Sequence, residues 1–310
     1  MTAAAASLVE IMKGSMNPLN PIRTGLKRSG KLRAKVRAIL FDVYGTLFIS
    51  GSGDISLSMN SMKEGGETQL ENLLKKYGLS SEESTSGTTD GMTVGKTAGK
   101  TVFKRYRREI EENHARLRAQ GIDYPEVEIE RVWMCVLGIK NRDLALQFSV
   151  EYESLFNPVW PMPDLQYVLQ VCVSNELPTG IISNAQFFTP LLFEVFFGAP
   201  AEEIGFEQDL IFYSYRFMRA KPSLYLFERA REALEARGIP VLNALYVGND
   251  MLNDILPADR TGFQTALFAG DRRSLRLREE KPLRRDLKPD IVITKLTDLT
   301  DCITREWGVD

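Results

Sequence analysis

An aspartate, a serine, a lysine and an acidic pair carry the chemistry that this chain can offer. Asp42 follows Ala38-Ile39-Leu40-Phe41 and opens Asp42-Val43-Tyr44-Gly45-Thr46-Leu47. Ser183 closes the run Gly180-Ile181-Ile182, and Asn249-Asp250 follows Ala244-Leu245-Tyr246-Val247-Gly248. Lys221 stands in Ala220-Lys221-Pro222, and Asp254 lies four residues beyond Asp250. Short apolar runs of this kind read as buried strands. In an open parallel sheet, ligands bind beyond the carboxyl ends of the strands. The chain therefore delivers a carboxylate, a hydroxyl and a carboxylate to one sheet edge, and Lys221 brings a cation there. A carboxylate so placed can attack as a nucleophile and split one hard displacement into two easier ones.

Each neighbour has a role beside that nucleophile and a plainer reading. Ser183 and Asn184 offer a hydroxyl and an amide, groups that stabilise oxygens gaining charge in a transition state. They also suit a helix N-cap. Lys221 supplies a full positive charge, or is simply a surface lysine ahead of a helix. Asp250 and Asp254 share a face of a helix beginning near Met251. A cation between them and Asp42 relieves their repulsion; the plainer reading is two acids at the positive end of a helix.

The spacing of apolar residues predicts what positions these groups. From Asp164 the chain alternates helix and strand. Helices are expected at Asp164–Asn175, Leu191–Phe197, Ser223–Arg237 and Met251–Arg260. Strands are expected at Thr179–Ile182, Leu210–Tyr213, Ala244–Val247, Gln264–Phe268 and Asp290–Ile293, with a final helix after the last. Such alternation argues an α/β chain with a doubly wound, mainly parallel sheet. Some 130 residues separate Asp42 from the next such strand, too many for a crossover helix. They read as a separate helical module, with helices at Glu67–Tyr77, Thr101–Gln120, Glu126–Leu137 and Arg142–Phe156, and a Ser/Gly/Thr-rich mobile loop at Ser80–Lys100. That module is expected to close over the site.

The Gly-Lys-Thr triplets of the Ser80–Lys100 segment lack the four-residue spacing of a phosphate-binding loop. Residues 15–37 carry a run of bases, read as a solvated arm ahead of the first strand. The basic stretch from Arg272 to Lys288 is interleaved with acids and reads the same way.

Composition narrows the classes. Of 310 residues, 44% are hydrophobic and 26% charged, as in an ordinary globular protein. A net charge of −2 gives no pull toward nucleic acid or a membrane surface. No apolar run approaches the roughly 20 residues of a spanning helix. Cys135, Cys172 and Cys302 are far apart and odd in number, so free thiols in a reducing, cytoplasmic setting are expected. The only histidine, His114, lies in a charged helical stretch, which removes Ser-His-Asp and Cys-His hydrolysis from consideration.

Four motifs in order resemble the haloacid dehalogenase (HAD) superfamily of hydrolases: Asp42-Val43-Tyr44-Gly45-Thr46, Ile182-Ser183-Asn184, Lys221-Pro222, and Gly248-Asn249-Asp250 through Asp254. The resemblance spans about Arg37 to Ile293. It implies a Rossmann-like core with a helical cap inserted after the first motif. The expected division is an arm over residues 1–35, a core from 36–48 and 158–310, and a cap over 49–157. The resemblance assigns catalysis to Asp42, Ser183 and Lys221, substrate binding to Tyr44, Thr46 and Asn184, and Mg²⁺ to Asp42, the Tyr44 carbonyl, Asp250 and Asp254. It implies Mg²⁺-dependent hydrolysis of a small phosphate ester through an aspartyl-phosphate. Tyr44 departs from the pattern, because phosphatases of the superfamily carry a second Asp there. Tyrosine at this position resembles the 2-haloacid dehalogenases, which use neither metal nor leaving-group acid. Hydrolysis of a carbon–halogen or related bond through an Asp42 ester is therefore the alternative. A HAD-fold binding protein with weak turnover is a third.

Overall fold

The apolar runs that precede Asp42, Ser183 and Asn249 are neighbouring strands of one sheet. The structure is a computed structural model and describes residues 3–53, 65–79, 94–279 and 287–304. In chain order the first elements are α1 (Ala3–Ser15), β1 (Ser29–Gly30), β2 (Ala38–Phe41), β3 (Phe48–Ser50), α2 (Gly66–Lys76), α3 (Val94–Ala119), α4 (Ile129–Leu137) and α5 (Arg142–Phe156). Then come β4 (Val159–Pro161), α6 (Leu165–Ser174), β5 (Thr179–Ser183), α7 (Leu191–Phe197), β6 (Phe206–Tyr213), α8 (Ser214–Phe217) and α9 (Tyr225–Ala236). The last are β7 (Ala244–Gly248), α10 (Leu256–Thr261), β8 (Gln264–Phe268), β9 (Ile291–Ile293) and α11 (Asp298–Thr304).

The main sheet has the order β1-β9-β8-β7-β2-β5-β6, parallel except where β1 runs antiparallel to β9. Strand β2 is central, with Phe41 in register with Ile181 of β5 and Val247 of β7. Every residue of β2, β5 and β7 is buried. This follows from helices covering both faces of a parallel sheet, which makes its strands near-continuous apolar runs. Asp42, Ser183 and Asn249 thus leave the sheet side by side at one edge.

Helices α2 to α5 pack against one another as a helical module around an aromatic cluster that is continuous with the main core. Trp133 of α4 stacks on Tyr106 of α3 at 4.2 Å between centroids and meets Phe148 of α5 edge-on at 4.9 Å. Aromatic contacts of this kind add to the area they bury. The antiparallel pair β3–β4 carries the chain out to the module and back. Helix α3 begins at Val94, so part of the segment read as a loop is helical. Residues 80–93 of that segment lie outside the described residues. No described helix is long and apolar enough to cross a membrane.

Two segments do more than the sequence suggests. Helix α1 buries Leu8, Val9 and Met12 in the main hydrophobic cluster, against α5 and α7. The bases that follow are exposed, as expected of a solvated arm, but two of them also pair at the sheet edge. Arg28 pairs with Asp298 and Asp301, Arg33 pairs with Asp290, and Ser29–Gly30 adds a short strand to β9. Bases spread along an unpaired strand edge find acids there, and the edge is covered.

Candidate active site

Asp42 is the first residue beyond β2, and the loop it opens is tight. Leu47 N and Phe48 N both donate to the Val43 carbonyl, at 3.0 and 2.9 Å. Gly45 makes the turn at φ 85°, where a Cβ would lie 2.3 Å from Ser274 Cβ. Both the left-handed backbone and the close approach require glycine. The carboxylate is held by one oxygen. Lys221 Nζ donates to Asp42 Oδ1 at 2.7 Å and Ser183 Oγ to the same oxygen at 2.9 Å. The Ser183 hydroxyl also lies 3.0 Å from the Asn184 carbonyl, so its single proton serves one acceptor at a time. Among the described residues Asp42 Oδ2 has no hydrogen-bond partner.

Lys221 sits between two carboxylates. Its ammonium also donates to Asp254 Oδ1 at 2.5 Å and to the Tyr246 hydroxyl at 3.1 Å, using all three protons. Asn184 fixes the lysine backbone, accepting from Lys221 N at 2.7 Å and donating to Lys221 O at 3.4 Å. Asp42, Lys221 and Asp254 are all buried, so two negative charges face one positive charge out of water. Burial pushes the Asp42 carboxyl up to about 7; Lys221 opposes this and Asp254 adds to it. Burial likewise raises Asp254, against the pull of Lys221. Burial draws the Lys221 ammonium down, but Asp254 and Asp42 together outweigh it and hold Lys221 above its ordinary range.

The acidic pair does not act as a pair. Asp254 Oδ2 turns back to accept from Asn249 N at 3.0 Å and Asp250 N at 2.9 Å. Asp250 caps the following turn, its Oδ1 accepting from Leu252 N at 2.8 Å and Asn253 N at 3.3 Å. Its carboxylate is also gripped by Arg278, Nε to Oδ1 at 3.0 Å and Nη2 to Oδ2. The expected helix from Met251 begins as a wide π turn over Met251–Ile255, with Ile255 N reaching back to Asp250 O. Pro257, at the start of α10, has no N–H to continue an α-helical ladder.

These contacts revise three expectations. The carboxylates of Asp254 and Asp250 are committed to Lys221 and Arg278, so the Mg²⁺ set of Asp42, Tyr44, Asp250 and Asp254 does not fit this arrangement. Among the described residues no group of three or more His, Cys, Asp or Glu is placed to hold a metal ion. Tyr44 lines the pocket, but its hydroxyl bonds to Thr189 Oγ1 at 2.9 Å rather than facing a substrate. Burial, with Glu153 next, holds that hydroxyl well above the ordinary tyrosine range. Thr46 is buried behind the loop, donating to Asn249 Oδ1 at 3.2 Å, and ties the first motif to the fourth.

Asp42, Asn184, Lys221, Asp250 and Asp254 line one pocket, with Ser183 behind Asp42. Residues missed in the sequence complete its wall. Tyr246 bridges Lys221, Asp254 and the Ile182 carbonyl. Ser274 and Arg276 line the pocket from the loop after β8. The Ser274 hydroxyl is buried with no partner, and Arg276 pairs with no carboxylate among the described residues. The one available signal was an arginine-rich stretch directly after a strand end. None of the described residues of α2–α5 lines the pocket; on that side it meets Gly53. Residues 54–64 lie outside the described residues.

Residues 218–299 match the sequence model of a family described as HAD-hydrolase-like. No curated protein matches the sequence. Among solved structures, a 2-haloacid dehalogenase from Pseudomonas syringae is similar at 18% identity and a TM-score of 0.50, over 87% of this chain and 98% of that one. A HAD phosphatase from Thermococcus onnurineus is similar at 16% identity and a TM-score of 0.50, over 88% of this chain and 100% of that one. The chain resembles the HAD superfamily, with its mainly parallel α/β sheet and HAD-like hydrolase fold. One fold carries both a dehalogenase and a phosphatase here, so the reaction must be argued from the site.

Proposed function

We propose that the chain is a hydrolase that displaces a leaving group from carbon in a small anionic molecule, through a covalent ester on Asp42 and without a divalent cation. The observation that carries this is the division of labour within one carboxylate. Oδ1 receives Lys221 Nζ and Ser183 Oγ, while Oδ2 has no partner among the described residues. In the first step Oδ2 attacks the substrate carbon, a C–O bond forms, and the leaving group departs with the electrons of the broken bond. A halide needs no proton on leaving, which suits a site whose Tyr44 hydroxyl is engaged by Thr189. In the second step water adds to the Asp42 carboxyl carbon. Negative charge then grows on Oδ1, where Lys221 and Ser183 already stand to receive it. Collapse breaks the Cγ–Oδ2 bond, and Oδ2 leaves as the oxygen of the product alcohol and takes one proton of the water. The second proton passes to solvent, and the carboxylate is restored with an oxygen from water. Arg276, a cation on the pocket wall without a carboxylate partner among the described residues, suits the substrate's negative group.

A second reading is Mg²⁺-dependent hydrolysis of a phosphate ester through an aspartyl-phosphate. The presence of Asp250 on the pocket wall favours it, provided that Arg278 releases that carboxylate. A screen of 2-haloacids and phosphate esters, each with Mg²⁺ and with chelator, separates the two. Halide release that persists in chelator, with heavy oxygen from labelled water entering Asp42 in a single turnover, is the expected result. Phosphate release that requires Mg²⁺ sinks the metal-free reading. Unchanged turnover in Asp42→Asn sinks both.

A further inference from the structure

The loop after β8 returns to the fourth motif in a fixed register. Arg276 N donates to Asn249 O at 2.9 Å, and Met251 N donates to Arg276 O at 2.9 Å. This short parallel bridge between Asp250 and Arg276 carries the chain on to Arg278. Arg278 lies at φ 58°, a left-handed conformation uncommon for a residue with a Cβ. From there its guanidinium meets the Asp250 carboxylate fork to fork, through Nε and Nη2. The Asp250 side chain is 7% exposed and that of Arg278 21%, so the pair is largely out of water. A paired fork of this kind combines two charge-assisted bonds with a defined orientation.

We propose that Arg278 occupies the cation position beside Asp250 and so keeps divalent metal ions out of the pocket. The inference rests on the reading of the Asp42 pocket as the reacting site. Asp42 and Asp250 both line it, and a small, hard cation such as Mg²⁺ binds through one or two such carboxylates with its remaining waters. While Arg278 holds Asp250, the metal meets a neutralised carboxylate and a fixed positive charge. A side chain from a loop thus replaces a diffusible ion: it neutralises Asp250 permanently, and the pocket keeps its charge balance at any metal concentration.

Calorimetric titration of purified protein with Mg²⁺ tests this without any substrate. The unmodified protein should show no saturable binding at millimolar Mg²⁺. Arg278→Gln and Arg278→Ala should each gain saturable binding within the same millimolar range of Mg²⁺. Adding Asp250→Asn to either variant should abolish the gain. Arg278→Gln keeps much of the side-chain volume, so a folded variant is at hand if the alanine proves unstable by circular dichroism. Saturable Mg²⁺ binding by the unmodified protein that Asp250→Asn removes would overturn the proposal. So would failure of the Arg278 variants to gain binding, or a gain that survives loss of Asp250. The titration reads no turnover, so failure of the Asp42 ester reading leaves its outcome unaltered.

Discussion

Lys221 sets its Nζ 2.7 Å from Asp42 Oδ1 across 179 residues of chain. The same ammonium pairs with Asp254, so among the described residues one lysine is the only cation between two buried carboxylates. Removing it leaves both uncompensated. Lys221→Met should therefore destabilise the fold by about 3–5 kcal/mol, the usual cost of breaking a buried pair from one side. Urea unfolding measures this; a loss below about 1 kcal/mol would mean that water or rearrangement satisfies the carboxylates.

The raised Asp42 carboxyl gives a pH dependence with a definite sign. Its pKa is pushed up to about 7, so below that pH the group carries a proton and cannot attack. On whichever substrate is found, kcat/KM should fall as pH drops through about 7. Asp254 contributes to the rise, so Asp254→Asn should move the midpoint to lower pH. A midpoint that stays in place in that variant argues that another group controls the profile.

Gly248 ends β7 with no room for a side chain. A Cβ there would stand 2.4 Å from Asp254 Cγ. Gly248→Ala should push Asp254 off its backbone donors and cost about 1–3 kcal/mol, as overpacking does. Thermal melting reads the loss. An unchanged melting temperature would show that Asp254 has space to move.

Tyr44→Phe separates a supporting role from a chemical one. The variant loses the bond to Thr189, a loss of about 1 kcal/mol. Turnover should stay well short of the roughly hundredfold drop that follows removal of a proton-transfer group. A larger drop in kcat at unchanged stability would place the hydroxyl in the reaction.

The succession of strands and helices from Asp164 onward, the parallel sheet and the delivery of Asp42 and Ser183 to one edge of it were legible in the sequence. Each rests on a local pattern: an apolar run long enough for one buried strand, followed at once by a polar residue. Where adjacent parallel strands end, the following residues have one place to go, so local spacing suffices. Helices α2, α4, α5 and α9 were legible from the helical spacing of their apolar residues. What the chain pairs with what, however, depends on side chains brought together from distant segments. Asp250 and Asp254 share a face on paper, yet one answers to Arg278, 28 residues on, and the other to Lys221, 33 residues back. Helix α1 and the bases after it show the same thing: their positions against α5, α7 and Asp290 depend on contacts that no local periodicity encodes. Sequence spacing thus determined that Asp42, Lys221 and Asp250 come to one sheet edge, but not that Ser274 and Arg276 join them there. Tertiary structure alone decided which charges neutralise each other there, because that balance depends on distances of a few ångströms between residues far apart in the chain.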